Sequence, residues 1–175
     1  MIGVCHGDKL YPRIRKWEGF FCALFSEIDK RMMCGTSPCM KQVLIIGASG
    51  GGGAALAAAY EARGDAVTRL SRSVDGFNIT DEHSVDQHLT ALNGPFDVVL
   101  VATGALEIDG AAPEKTIKSI SQKAMLDQFA LNAVGPALVL RHAGDLLRRD
   151  APCFFAVFSA RVGSIGDNRI GAGAL

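Results

Sequence analysis

The sequence predicts an α/β fold, a doubly wound parallel sheet held between two helical layers in a three-layer α/β/α arrangement. Three observations carry this. From residue 40 onward, short β-branched apolar runs alternate with alanine-rich or charge-patterned stretches, the signature of βαβ units. A glycine-rich turn separates the first of those runs from the first helical stretch. A hydrophobic fraction of 49% over 175 residues, with mean hydropathy +0.21, supplies the apolar material for one core.

The elements follow in order. Residues 41–47 form a short apolar strand, and 51–63 an alanine-rich helix. Residues 66–70 form the second strand. Thr80 is expected to cap a helix over 81–92, followed by a strand at 96–102. One long helix is expected over 121–149 and a further strand over 153–159. Residues 1–39 hold four of the five cysteines and the single Trp17 without a clean period, apart from a possible helix over 17–32 in which Phe21, Leu24, Phe25 and Ile28 recur at helical spacing. The chain thus divides into an N-terminal extension, 1–39, and a domain over 40–175.

Composition excludes several classes. Lys plus Arg and Asp plus Glu both number 18, which argues against a broad basic face for nucleic acid and against a polybasic membrane anchor. No apolar stretch approaches the ~20 residues needed to span a bilayer, and Gly19–Phe25 is too short for a secretory leader. A cytoplasmic protein is expected. Cys5, Cys22, Cys34, Cys39 and Cys153 contain no CxxC pair, so free thiols are expected and no metal site.

The most informative stretch is Leu44-Ile45-Ile46-Gly47-Ala48-Ser49-Gly50-Gly51-Gly52-Gly53-Ala54. A strand ends in a turn whose backbone amides can approach a phosphate, and a helix N-terminus follows at once. Small residues after the turn let that helix lie close on the strand. No Lys-Ser or Lys-Thr follows the glycines, so a P-loop is excluded. The spacing Gly47-x-x-x-Gly51-x-Gly53 resembles the glycine loop of the short-chain dehydrogenase/reductase family, and the chain most resembles that family's C-factor-like branch. The resemblance spans residues 40–170 and implies a Rossmann-type fold that binds NAD(P). Gly47, Ser49, Gly50, Gly51 and Gly53 would hold the cofactor. Ile46 and Gly52 depart from the family's Thr and aliphatic residue.

A preference for NAD usually comes with an acid at the end of the second strand. Here the strand ends Leu70-Ser71-Arg72-Ser73. Arg72 can pair with a 2′-phosphate and Ser71 can donate to it, so NADP is expected over NAD. Asn78, in Phe77-Asn78-Ile79-Thr80-Asp81, stands where the family's Asp lies beside the adenine. Val101-Ala102-Thr103-Gly104 takes the place of Asn-Asn-Ala-Gly, which puts Thr103 and Gly104 in the cofactor floor.

The resemblance also assigns chemistry. Asn132, in Asn132-Ala133-Val134-Gly135-Pro136, matches the family's Asn-x-x-Gly-Pro. That Asn distorts its helix and holds a water of the proton relay, and Pro136 fits a loosened helix. The strand ending Phe158-Ser159-Ala160-Arg161-Val162-Gly163-Ser164 resembles the one that ends in the catalytic Ser; Ser159 is the candidate and Ser164 the reserve. The family's Tyr-x-x-x-Lys pair does not occur, since the tyrosines are Tyr11 and Tyr60 only. The domain is therefore expected to be C-terminally incomplete, a truncated or frame-disrupted product, with the strand at 153–159 on an unprotected sheet edge in an order 3-2-1-4-5. Three readings stay open. One is an NADP-dependent oxidoreductase acting on a small carbonyl or alcohol and dimerising through the helix at 121–149. The others are a non-catalytic nucleotide-binding module and an inactive fragment.

Overall fold

The computed structural model describes residues 3–5, 40–110, 112, 114 and 116–159. Its elements are β1 (Gly3–Cys5), β2 (Gln42–Ile46), α1 (Gly51–Ala62), β3 (Ala66–Leu70), α2 (Arg72–Asp75), α3 (Glu82–Thr90), β4 (Val98–Val101), α4 (Gln122–Phe129), α5 (Gly135–Arg141), α6 (Ala143–Leu146) and β5 (Phe154–Val157). A π-helical segment, Ala130–Val134, joins α4 to α5. The sheet runs β1-β5-β4-β2-β3. Its four later strands are parallel, and β1 pairs antiparallel with β5, Gly3 opposite Val157 and Cys5 opposite Phe155.

The strands read as unbroken apolar runs because both faces are covered. Alternate side chains feed two cores. Leu44, Ile46, Val99, Val101 and Phe155 point to one side, where Val85 and Leu89 of α3 and Val139 of α5 meet them. Val43, Ile45, Val98, Leu100 and Ala156 point to the other, against Leu56, Ala57 and Tyr60 of α1. Every residue of β4 and the last four of β2 are buried, each worth roughly 1.5–3 kcal/mol against exposure.

Four expectations are corrected. The helix over 121–149 is a broken path that ends at Leu146, because the π turn and the missing amide of Pro136 interrupt it. Asp81, and not Thr80, caps α3, its carboxylate accepting from the amide of His83. The strand at 153–159 is not an edge, since β1 covers it. The order 3-2-1-4-5 also fails beyond β3: residues 77–79 form no strand, and β3 closes that side among the described residues. The suggested helix over 17–32 lies outside the described residues.

At the amino ends of the strands one carboxylate ties three segments together. Asp97, 5% exposed, accepts from the amide of Gln42 (2.8 Å) and from Nε of Arg148 (2.8 Å). Its own amide donates to the Gln42 carbonyl, and its carbonyl accepts from Phe154. Cys153 lies beside it, its thiol pushed up by burial and then by the Asp97 charge, which makes it a poor nucleophile. This end of the sheet is structural.

Candidate functional site

The opposite, carboxyl-terminal ends of β2, β3 and β4 carry the candidate site, where open α/β sheets bind their ligands. Gly47 leaves β2 with φ +87°, and its amide donates to Leu70 at the end of β3 (2.8 Å). A Cβ on Gly47 would lie 2.9 Å from the carbonyl of Ala102 and 3.0 Å from Cγ2 of Thr103. A Cβ on Gly53 would lie 2.2 Å from the carbonyl oxygen of Gly47. The glycines thus let α1 sit directly on the end of β2. Gly51 differs, with nothing within 4 Å of its Cβ position. Gly50 is the N-cap and supplies no side-chain cap; no acid stands in the first turn. The first-turn amides of α1 are orphan donors beside a positive helix end, open to an anion. Ser49 and Gly50 are exposed on the same turn.

Ser71 follows β3 and is 3% exposed. Its amide and its hydroxyl both donate to Oδ2 of Asp75, at 2.7 and 3.1 Å. Arg72 is exposed and has no ion-pair partner among the described residues. Asn78 is half-buried; its amide donates to Oγ of Ser84 (3.0 Å) and its Oδ1 accepts from the amide and hydroxyl of Thr80. That leaves its Nδ2 for a ligand.

After β4, Thr103 carries a buried Oγ1 with no hydrogen-bond partner, and Gly104 adopts φ +150°. Asn132 on the π segment grips this floor. Its Oδ1 accepts from the amide of Ala105 (3.1 Å) and its Nδ2 donates to the Ala105 carbonyl (2.9 Å) and to Oε1 of Gln128 (2.7 Å). A Cβ on Gly104 would reach 3.2 Å from that Oδ1. Gly135, one turn on, packs on Ile79, where a Cβ would lie 2.9 Å from Cγ1. Ser159 is exposed two residues beyond β5, at the same sheet end, and no contact joins it to Asn132. Ser164 lies outside the described residues.

The structure therefore joins Gly47, Gly53, Thr103, Gly104 and Asn132 through direct contacts, and groups Ser71, Arg72 and Asn78 at the end of β3. Sequence reasoning missed Asp75 and Gln128. The i,i+4 spacing of Gln128 and Asn132 is a usable signal, whereas nothing in the Asp75 neighbourhood announces the bend back to Ser71. Among the described residues no group of three His, Cys, Asp or Glu could hold a metal ion, and no helix is long and apolar enough to cross a membrane.

No protein-family model matches the chain, and no curated protein matches it. Solved structures do. A small-chain dehydrogenase in complex with NADPH aligns with TM-score 0.54 and 25% identity over 65% of this chain and 48% of that one. A Burkholderia multivorans protein, provisionally assigned as a short-chain dehydrogenase/reductase and holding NADP, aligns with TM-score 0.61 and 25% identity over 76% of this chain and 64% of that one. The aldohexose dehydrogenase of Thermoplasma acidophilum, in ligand-free form, gives TM-score 0.54 at 21% identity, over 65% and 48% of the two chains. The chain spans about half the length of several such structures. It shares their Rossmann-like α/β fold.

Proposed function

We propose that this chain is the nucleotide-binding part of an NAD(P)-dependent oxidoreductase of the short-chain dehydrogenase/reductase type, with NADP(H) preferred and a small carbonyl or alcohol as substrate. The observation that carries the reading is the approach of Gly53 to Gly47. A Cβ there would meet backbone at 2.2 Å, so the turn leaves the first amides of α1 bare for a pyrophosphate. Structures of the same fold that hold NADPH or NADP support it.

The residues present fit such a cofactor. Gly47, Ser49, Gly50 and Gly51 would face the pyrophosphate, Arg72 a 2′-phosphate, Asn78 the adenine, and Thr103 and Gly104 the ribose and nicotinamide side. The orphan Thr103 hydroxyl is a polar group awaiting a partner, and burial without one costs about 1–3 kcal/mol. When bound, the cofactor supplies the hydride chemistry. Asn132 holds the Gly104–Ala105 floor in place. Its π-helical setting frees main-chain carbonyls for a water, as the family resemblance implies. Ser159 would orient the substrate oxygen. A proton donor equivalent to the family's Tyr-x-x-x-Lys is absent from the 175 residues, so the sequence as it stands is expected to bind cofactor and to turn over little or no substrate. The exposed Leu126, Phe129, Val134 and Leu140 along α4, the π segment and α5 support a homodimer through this helical path.

Titration with NADPH, followed by its fluorescence, tests the reading. Saturable binding is expected, and absence of saturation at millimolar cofactor would overturn it. Turnover of generic aldehydes and ketones then separates an enzyme from a binding module.

A further inference from the structure

The end of β3 carries an acid that the sequence hides. Strand β3 ends at Leu70 without one, but α2 turns the chain so that Asp75 returns to Ser71. Four bonds then fix Ser71. Its amide (2.7 Å) and hydroxyl (3.1 Å) donate to Oδ2 of Asp75, and its carbonyl accepts from the amides of Asp75 (3.1 Å) and Phe77 (3.3 Å). The turn is closed by Gly76, with φ +72°, whose amide donates to the Arg72 carbonyl. It is pinned from α3 by His88, whose Nε2 lies 3.1 Å from the carbonyl oxygen of Asp75 and whose ring meets Phe77 edge-on at 5.5 Å.

This arrangement fixes hydrogen-bond polarity. A serine hydroxyl has one proton and two lone pairs. The Ser71 proton goes to Asp75, so toward a ligand Ser71 can accept but not donate. The second carboxylate oxygen of Asp75, Oδ1, takes no hydrogen bond from any described residue. Both groups suit a donor such as a ribose 2′-hydroxyl, and neither suits a 2′-phosphate, which carries only acceptors and negative charge. Arg72, exposed and without an ion-pair partner among the described residues, has the opposite preference.

We infer that Asp75 is a specificity-determining residue of the nucleotide site: through Ser71 and its own charge it admits a 2′-hydroxyl nucleotide beside the 2′-phosphate nucleotide that Arg72 favours. The site accepts NAD(H) as well as NADP(H), and Asp75 sets the ratio. The inference rests on the nucleotide-binding reading and concerns the 2′ position alone.

The test uses the full chain and two fragments that differ only there, adenosine 2′,5′-bisphosphate and 5′-AMP, titrated by calorimetry. Wild type is expected to bind both within about tenfold of each other. In Asp75→Asn the amide oxygen still accepts from Ser71 while the charge is gone. The bisphosphate should then tighten by about tenfold relative to 5′-AMP, the order expected when a like charge some 6 Å from a phosphate is removed. Asp75→Ser, which also removes the charge and keeps an acceptor, should shift the ratio the same way if Asn disturbs the turn. Arg72→Ala should move it in the opposite direction. Amide exchange at Ser71, slow in wild type and in Asp75→Asn, reports whether the turn survives. An unchanged ratio in both Asp75 variants, with Ser71 still protected, overturns the role given to Asp75 while leaving the nucleotide site standing. If wild type binds neither fragment nor NADPH, the nucleotide reading falls and this inference falls with it.

Discussion

Replacing Gly53 by alanine separates packing from ligand binding more cleanly than any other change in the chain. The new methyl group would lie 2.2 Å from the Gly47 carbonyl oxygen, 2.9 Å from its carbon and 3.1 Å from Cα of Ala48. All three are main-chain atoms, so no side chain can swing aside, and α1 must recede by about 1.2 Å to reach an ordinary 3.4 Å contact. Overpacking of this kind costs about 1–3 kcal/mol. Against it stands the gain of alanine over glycine within a helix, about 1 kcal/mol at most. The balance is a loss of about 1–2 kcal/mol, or a fall in melting temperature of roughly 2–8 °C for a chain of this size. Gly51→Ala is the partner experiment. Nothing lies within 4 Å of its Cβ position, so its stability should stay within about 0.5 kcal/mol of wild type or rise, while a methyl on the phosphate side weakens NADPH. Urea unfolding followed by circular dichroism, beside NADPH titration, reads both effects. A Gly53→Ala protein as stable as wild type at unchanged m value would refute the close-packing argument.

Three further outcomes follow from the same geometry. Asp97→Ala strands the Gln42 amide and the Arg148 guanidinium, and should cost about 2–4 kcal/mol in urea unfolding with fragment affinity unchanged in the folded protein. Asn132→Ala frees Ala105 and Gln128; amide exchange at Ala105 should quicken about tenfold, in line with roughly 1 kcal/mol per lost bond, and NADPH should bind more weakly. Asp86 is held below the ordinary carboxylate value of 3.8, first by its hydrogen bond from His142 and then by Arg141. Its folded-state value is depressed, so the stability it adds is present above the ordinary carboxylate range and lost as pH falls through a value below 3.8. Asp86→Asn should therefore flatten the acid limb of the stability profile below pH 4, an effect that high salt diminishes because the group is exposed.

Most of the fold was legible because buried parallel strands are continuous apolar runs. Ala66–Leu70 is found where expected to the residue, and Gln42–Ile46, Val98–Val101 and Phe154–Val157 are shorter than expected by one to three residues at either end. The glycine turn was legible for a different reason. Its spacing encodes close approach, and Gly47 and Gly53 are the positions where a Cβ would strike backbone. What stayed hidden depends on tertiary partners. The three residues of β1 carry no periodic signal and pair with a strand some 150 positions away. The break after Phe129 is foreshadowed by Pro136, but the loss of helix after Leu146 is set by Arg148, which leaves the helical path to reach Asp97. Asp75 reads as an ordinary exposed acid until α2 folds it back on Ser71. A lone acid directly before four apolar strand residues was the available sign of Asp97.

The position of Asp97 also divides the molecule by tolerance to change. Its four bonds fasten the amino ends of β2, β4 and β5, while the glycine turn, the Ser71–Asp75 turn and the Asn132 floor all sit at the far ends of the strands. A substitution that retunes one rim leaves the fastening of the other intact, since sites this far apart and without shared partners act nearly additively. Variation in ligand preference can therefore accumulate on the carboxyl rim at little risk to folding. For a laboratory library, that rim is the surface to diversify and Asp97 with Arg148 the pair to leave alone.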